Sequence, residues 1–354
     1  MKEKSIGTLN RDGRNIDPAL GELRGEASVQ RARPLESRPE QIATREDSAR
    51  DSYHGLPLLK ETVWKTSIPL YLYVGGLSGA CAALGAAAQL RQGPGAAGFE
   101  ALISRTRLIA AGGAIVSAVL LIEDLGRPSR FFNMLRVFRK SSPMSVGSWV
   151  LSAFGAAASG AAAGELLGGP KVLRAAAGLG AGLLGLPLAG YTGVLLAGTA
   201  VPVWQGGRTA LPPLFLASAA ASAASALDLC DLPVRSQRVV RRFGVLGKVA
   251  ELAGSAALER ELAPVPRVAN TLREGLPGTL WRAARVLTAL SLVLSLPPRR
   301  PRVLRIASGL LGTAGALAVR FAIFHAGQAA ARDPHAAFDQ QRAGSGDPSG
   351  DQPS

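Results

Sequence analysis

The groups in this sequence with the capacity for chemistry stand where apolar segments end or are interrupted. Glu123 and Asp124 are adjacent carboxylates closing one apolar run, and Gly126-Arg127-Pro128 follows them, so acid, turn and cation lie together at a helix end. Lys248 and Glu251 are three residues apart, which puts them on one helical face, and Arg320 and His325 interrupt a late apolar segment. Ionisable groups at membrane depth are costly, face the bundle rather than lipid, and mark sites of proton or ligand handling. The plainer alternative for Lys248, Glu251 and Arg320 is a satisfied structural ion-pair network.

Several chemistries are disfavoured. A haem between membrane helices needs axial ligands, usually histidines. The three histidines are His54 and His335 outside the apolar segments and the lone His325, so no bracketing pair exists. Cys81 and Cys230 are far apart and form no CxxC pair, which leaves this chain without the ligands for an iron–sulfur cluster or a structural zinc. No GxSxG, HExxH or Walker sequence occurs.

The elements that must position these groups are membrane helices. The chain has 354 residues, of which 47% are hydrophobic and 18% charged, and its mean hydropathy is +0.20. Residues 67–90, 141–164, 175–207 and 209–227 carry no charge at all, and a spanning helix needs roughly 20 mostly apolar residues. The pattern predicts an all-α integral membrane protein with eight spans, at about 67–90, 108–125, 144–164, within 175–207, 211–227, 243–258, 279–296 and 303–329. Residues 175–207 are too long for one straight span and suggest a tilted or Pro187-kinked helix with an interfacial end near Trp204. Gly75 and Gly79 form a GxxxG pair suited to close helix approach, and Trp64, Tyr71 and Tyr73 suit an interfacial aromatic belt. Residues 1–55 and 332–354 are expected to be polar, disordered tails flanking a transmembrane domain over 56–331.

The net charge of +15 falls outside residues 1–55, which hold equal numbers of acids and bases. The cations are scattered between apolar spans, which excludes a nucleic-acid stripe and fits loops at anionic headgroups. Orientation stays open: the loops opposite the N-terminus hold more Lys and Arg, yet an outward N-terminus would carry a long charged tail across.

One stretch has a recognisable pattern. Glu123-Asp124-Leu125-Gly126-Arg127-Pro128, then Phe132 to Phe138, then Ser142-Pro143-Met144-Ser145-Val146-Gly147-Ser148-Trp149, resembles the NrfD/PsrC family of membrane subunits of polysulfide reductase- and formate dehydrogenase-type complexes. The first span, with Pro69, Tyr71, Tyr73, Gly75, Gly76, Leu77 and Gly79, is similar to it as well. So are the segment from Tyr191 to Trp204 and the late Arg320-Phe321 with Gly327. The resemblance covers about 57–334.

This resemblance implies eight spanning helices in two four-helix bundles, in a bacterial cell (inner) membrane. It implies a menaquinone-type quinone bound without haem or cluster in this chain. Electrons would pass to or from an iron–sulfur (four-cluster ferredoxin-like) subunit, which connects to a molybdopterin catalytic subunit. It further implies Tyr191 as hydrogen-bond donor to the quinone and Asp124 as proton acceptor, with Arg127 holding Asp124 ionised. The family pattern favours Asp124 over Glu123, and neighbouring helical positions point about 100° apart, although Glu123 remains a proton-transfer candidate. Tyr71, Tyr73, Ser78 and Gln89 are the polar residues the first span offers beside the quinone, and Tyr71 joins the candidates. Coupled proton transfer would use Lys248, Glu251 and Arg320. A secondary transporter is the alternative, but it predicts inverted repeats, and Gly126-Arg127-Pro128 has no echo in the second half. An inert structural anchor is the other.

Overall fold

The structure is a computed structural model that describes residues 15–17, 22–24, 64–92 and 98–345. The chain divides into two units, 1–55 and 56–354. In the first, β1 (Asn15–Asp17) pairs antiparallel with β2 (Glu22–Arg24), Ile16 opposite Leu23. The rest of the polar tail expected over 1–55 lies outside the described residues.

The described residues of the second unit form helices joined by short loops. Its elements are α1 (Ser67–Arg91), α2 (Glu100–Leu125), α3 (Pro128–Arg136), α4 (Pro143–Leu166), α5 (Lys171–Ala197), α6 (Pro202–Gly206) and α7 (Leu211–Asp228). They continue with α8 (Val234–Leu262), α9 (Pro266–Asn270), α10 (Gly275–Ser295), α11 (Arg302–Arg332) and α12 (Pro334–Ser345). The eight long helices are the eight predicted segments. α2 and α8 begin earlier than predicted, because Arg105, Arg107 and the arginines from Arg235 to Arg242 extend the helices beyond their apolar parts. Residues 334–345 of the predicted C-terminal tail are helical, with Ala336 buried.

α1, α2, α4 and α5 close one four-helix bundle, and α7, α8, α10 and α11 close a second. The bundles meet where α1 and α5 pack on α7 and α11 touches α1. α1, α2, α4, α5 and α11 are long and apolar enough to cross a membrane. α7 is short and serine-rich, while α8 and α10 carry charges, and their polar faces turn inward. Large apolar side chains such as Ile115, Val119, Leu183, Leu246, Val286 and Leu290 are exposed in mid-helix. A helix that turns apolar groups outward and polar groups inward suits lipid surroundings, where unpaired polar groups must be satisfied inside the protein.

Local signals explain the breaks. Gly126 ends α2 in the left-handed region at φ 73°, and its N–H reaches the Ile122 carbonyl. Pro128 then opens α3 at a position needing no N–H. Ser142 caps α4, its hydroxyl accepting from the Ser145 N–H, with Pro143 at the first helical position. α5 continues through Pro187, and α6 provides the short terminal piece that carries Trp204.

Where α1 crosses α5, Gly79 faces Gly185 backbone to backbone, and a Cβ on either would run into the other's carbonyl. Gly75, the other half of the GxxxG pair, has more room: a Cβ there would find Ser117 Oγ at 3.5 Å, an ordinary contact. Gly79→Val should therefore destabilise the protein by about 1–3 kcal/mol, the usual cost of overpacking, while Gly75→Ala stays close to neutral. Thermal unfolding of the two variants in detergent measures the difference. Equal losses would refute the seam.

Candidate functional site

Residues from five helices converge at the Trp64 end of the first bundle. The end of α2, the start of α4 and the end of α5 close around the first turns of α1, with α3 at the rim. A cavity of about 30 Å³ lies between them, lined by Tyr71 of α1, Asp124 of α2, Met134 of α3, Met144, Gly147 and Ser148 of α4, and Tyr191 of α5, with Trp64 and Leu195 at its edges. Three of the sequence candidates, Tyr71, Asp124 and Tyr191, thus share one cavity.

Their hydroxyls are used differently. The Tyr191 hydroxyl donates to the Pro143 carbonyl, and its ring lies against Gly147, where a Cβ would overlap it. Tyr71 is 3% exposed, and its hydroxyl has no hydrogen bond to a described residue. Asp124 Oδ1 accepts the Lys65 backbone N–H at 2.9 Å, which ties the α2 end to the chain leading into α1. Its Oδ2 makes no bond to a described residue.

The remaining candidates at this end fall elsewhere. Arg127 is exposed and makes no ion pair with Asp124. The arginine that serves the turn is Arg130, whose Nη1 donates to the Leu125 carbonyl at 2.9 Å. The expected Asp124–Arg127 pair is corrected on that ground: Gly126 bends the chain so that α3 starts at Pro128, and a residue one turn into α3 points back at the carbonyls. Glu123 is also exposed and does not line the cavity, although its carbonyl receives Lys65 Nζ at 3.4 Å.

Lys248, Glu251 and Arg320 are all buried in the second bundle, yet no two of them form a direct ion pair. Lys248 Nζ donates to Ser295 Oγ at 2.8 Å and Ser308 Oγ at 3.2 Å. Glu251 Oε1 accepts from Thr288 Oγ1 at 2.9 Å, while its Oε2 has no partner among the described residues. Arg320 donates through Nη2 to the Phe215 carbonyl at 3.1 Å and lies over the Phe215 ring at 4.0 Å, and its Nε and Nη1 have no partner among the described residues. Hydroxyls meet Lys248 and Glu251, and a carbonyl and a ring meet Arg320, in place of the expected ion-pair network. Ser295 Oγ and Ser308 Oγ are 2.9 Å apart, and Ser291 Oγ and Ser308 Oγ 3.3 Å. Thr288, Ser291 and Ser295 recur at helical spacing on one buried face of α10, a periodicity visible in the sequence and missed there. His325 contacts Gln328 across 3.1 Å, and both cysteines are free.

Two buried ionic clusters also escaped sequence reading, because their members are distant along the chain. At the far end of the first bundle, Arg107 bonds Glu165 and Gln89, each at 2.7 Å, and Gln89 reaches the Ala175 carbonyl at 3.0 Å. All four helices are joined there. In the second bundle Arg300 donates to both oxygens of Asp228, at 3.0 and 3.1 Å.

Fold and site together define a multi-pass helical membrane protein whose first bundle encloses an apolar cavity bearing a phenol and a carboxylate. The family model described as polysulphide reductase, NrfD matches residues 57–161, which bears out the NrfD/PsrC resemblance over α1, α2, α3 and most of α4. That family comprises membrane subunits of polysulfide reductase-like oxidoreductase complexes. Tyr191, Trp204 and Arg320 lie beyond the matched segment, but the fold brings Tyr191 onto Gly147 and packs Trp204 where a Cβ on Gly327 would stand. No curated protein and no solved structure matches the chain.

The buried ion pair and the hydroxyl-solvated lysine differ in what their removal exposes. Asp228→Ala, which strands the Arg300 guanidinium, should cost about 3–5 kcal/mol, whereas Lys248→Met removes a buried charge together with its desolvation cost and should be neutral or stabilising. Melting temperatures of the purified variants decide it, and a large loss for Lys248→Met would contradict this assignment.

Proposed function

We propose that the chain is the quinone-binding membrane subunit of an oxidoreductase complex, and that the quinone head group binds in the cavity at the Trp64 end of the first bundle. The observation that carries this reading is the meeting, on one apolar cavity, of the Asp124 carboxylate and a Tyr71 hydroxyl with no partner among the described residues. A quinone offers two carbonyl acceptors on an apolar ring, and its interconversion with quinol moves two electrons and two protons.

The residues present fit that group. Tyr71 is the donor to a carbonyl oxygen, since its O–H is committed to no described residue. Tyr191 is a positioning residue: its O–H is spent on the Pro143 carbonyl, which locks its ring as one wall. Asp124 Oδ2 holds or releases the proton, while Oδ1 stays on the Lys65 N–H. About 30 Å³ of free space admits a water or two rather than a ring, so binding requires wall side chains to turn aside. Met134 and Met144 have the torsional freedom for it.

The same reading gives this chain an iron–sulfur subunit and a molybdopterin catalytic subunit as partners, menaquinone as the quinone and a bacterial cell membrane as its place. Proton transfer coupled to turnover would use Glu251, whose Oε1 accepts from Thr288 of α10 and whose Oε2 is buried with no partner among the described residues. Lys248 and Arg320 would bias its charge.

In the purified complex, Tyr71→Phe should lower quinol-linked turnover about tenfold, the equivalent of one hydrogen bond. Asp124→Asn, which keeps an acceptor for Lys65, should lower it by about 100-fold or more, as the loss of an acid–base group does. Wild-type turnover in both variants would reduce the chain to an anchor. Glu251→Gln should reduce proton uptake per turnover with little effect on quinone affinity, and an unchanged proton stoichiometry would remove Glu251 from the path.

A further inference from the structure

A wider cavity, about 310 Å³, opens at the other end of the second bundle, between the start of α8 and the connection from α10 to α11. Arg238, Arg241, Arg299 and Arg300 line it, and no acid does. Arg300 is neutralised by Asp228. Arg241 gives Nη1 to the Leu296 carbonyl at 3.0 Å, and its Nε is buried with no partner among the described residues. Arg238 and Arg299 are exposed and form no ion pair with a described residue. Three guanidinium groups therefore share one cavity with no described counter-charge in it. Pro297, Pro298 and Pro301 bracket Arg299 and Arg300 and stiffen their backbone.

Guanidinium groups match phosphate oxygens in geometry as well as charge. The surroundings narrow the source of the phosphate. The cavity lies at the ends of α8, α10 and the span-length α11, and Val234, Leu296 and Val303 beside it are 64%, 53% and 76% exposed. A free phosphate has no use for that apolar rim, whereas acyl chains do. Basic pockets between membrane helices are the usual seats of anionic lipid head groups.

We propose that this cavity is a binding site for an anionic phospholipid, its phosphodiester held by Arg238, Arg241 and Arg299 and its chains laid along the apolar rim. The site is independent of the quinone reading, since it lies in the other bundle and at the opposite end.

The full chain is placed in phosphatidylcholine nanodiscs containing a fraction of cardiolipin, released, and weighed by native mass spectrometry. The wild type should retain the anionic lipid in preference to phosphatidylcholine. Arg238→Gln with Arg299→Gln should weaken retention about 30-fold, from about fivefold per arginine near an anionic head group. Arg273→Gln, an exposed arginine at the opposite end, should leave it unchanged. Equal retention of phosphatidylcholine, undiminished retention by the double variant, an equal loss in Arg273→Gln, or displacement of the lipid by millimolar inorganic phosphate would each overturn the proposal.

Discussion

The contact between Gly79 and Gly185 sets how near α1 and α5 stand, and the rest of the molecule is assembled on that pair. α1 and α5 are the two members of the first bundle that pack on α7, so their separation fixes both the closure of that bundle and its docking on the second. Lipid supplies no hydrophobic drive between helices, and attraction comes instead from close packing and buried polar contacts. With 42 glycines and few aromatic residues, this chain relies on backbone proximity. The same device recurs where Trp204 fills the space over Gly327 and donates to the Ile323 carbonyl at 2.8 Å.

Charges inside such a bundle are tolerated only with partners, and the partners differ in kind. Arg107 and Arg300 are met by carboxylates, which makes them clasps. Lys248 is met by serine hydroxyls, and Arg320 by one carbonyl and an aromatic face, which leaves parts of each group unneutralised. Among the described residues, Glu251 is held on one oxygen. Of these groups, Lys248 and Glu251 meet the hydroxyl-lined face of α10, at Ser295 and Thr288.

Much of this was legible along the chain. Uncharged runs marked the helices, Gly126 and Pro128 marked the turn after α2, Ser142 and Pro143 marked the start of α4, and the resemblance singled out residues that meet at one cavity. Interactions across helices were not legible. Arg127 looked like the partner of Asp124 because it is near in sequence, yet the turn directs it outward and brings Arg130 back. Tyr191 looked like the free donor, and only its contact with Pro143 distinguishes it from Tyr71. The arginines now found around one basic cavity were scattered loop charges in the sequence, since α8 and the α10–α11 connection are far apart along it.

The sequence by itself determined the all-helical membrane fold, the number of long helices and the grouping of chemistry near α2 and α4, because apolar length, proline, glycine and capping residues act locally. Only the tertiary structure decided which hydroxyl is free, which carboxylate faces inward and which cations are paired. Those outcomes depend on side-chain directions at crossings between helices, and a crossing angle is a property of two surfaces together that neither segment encodes alone.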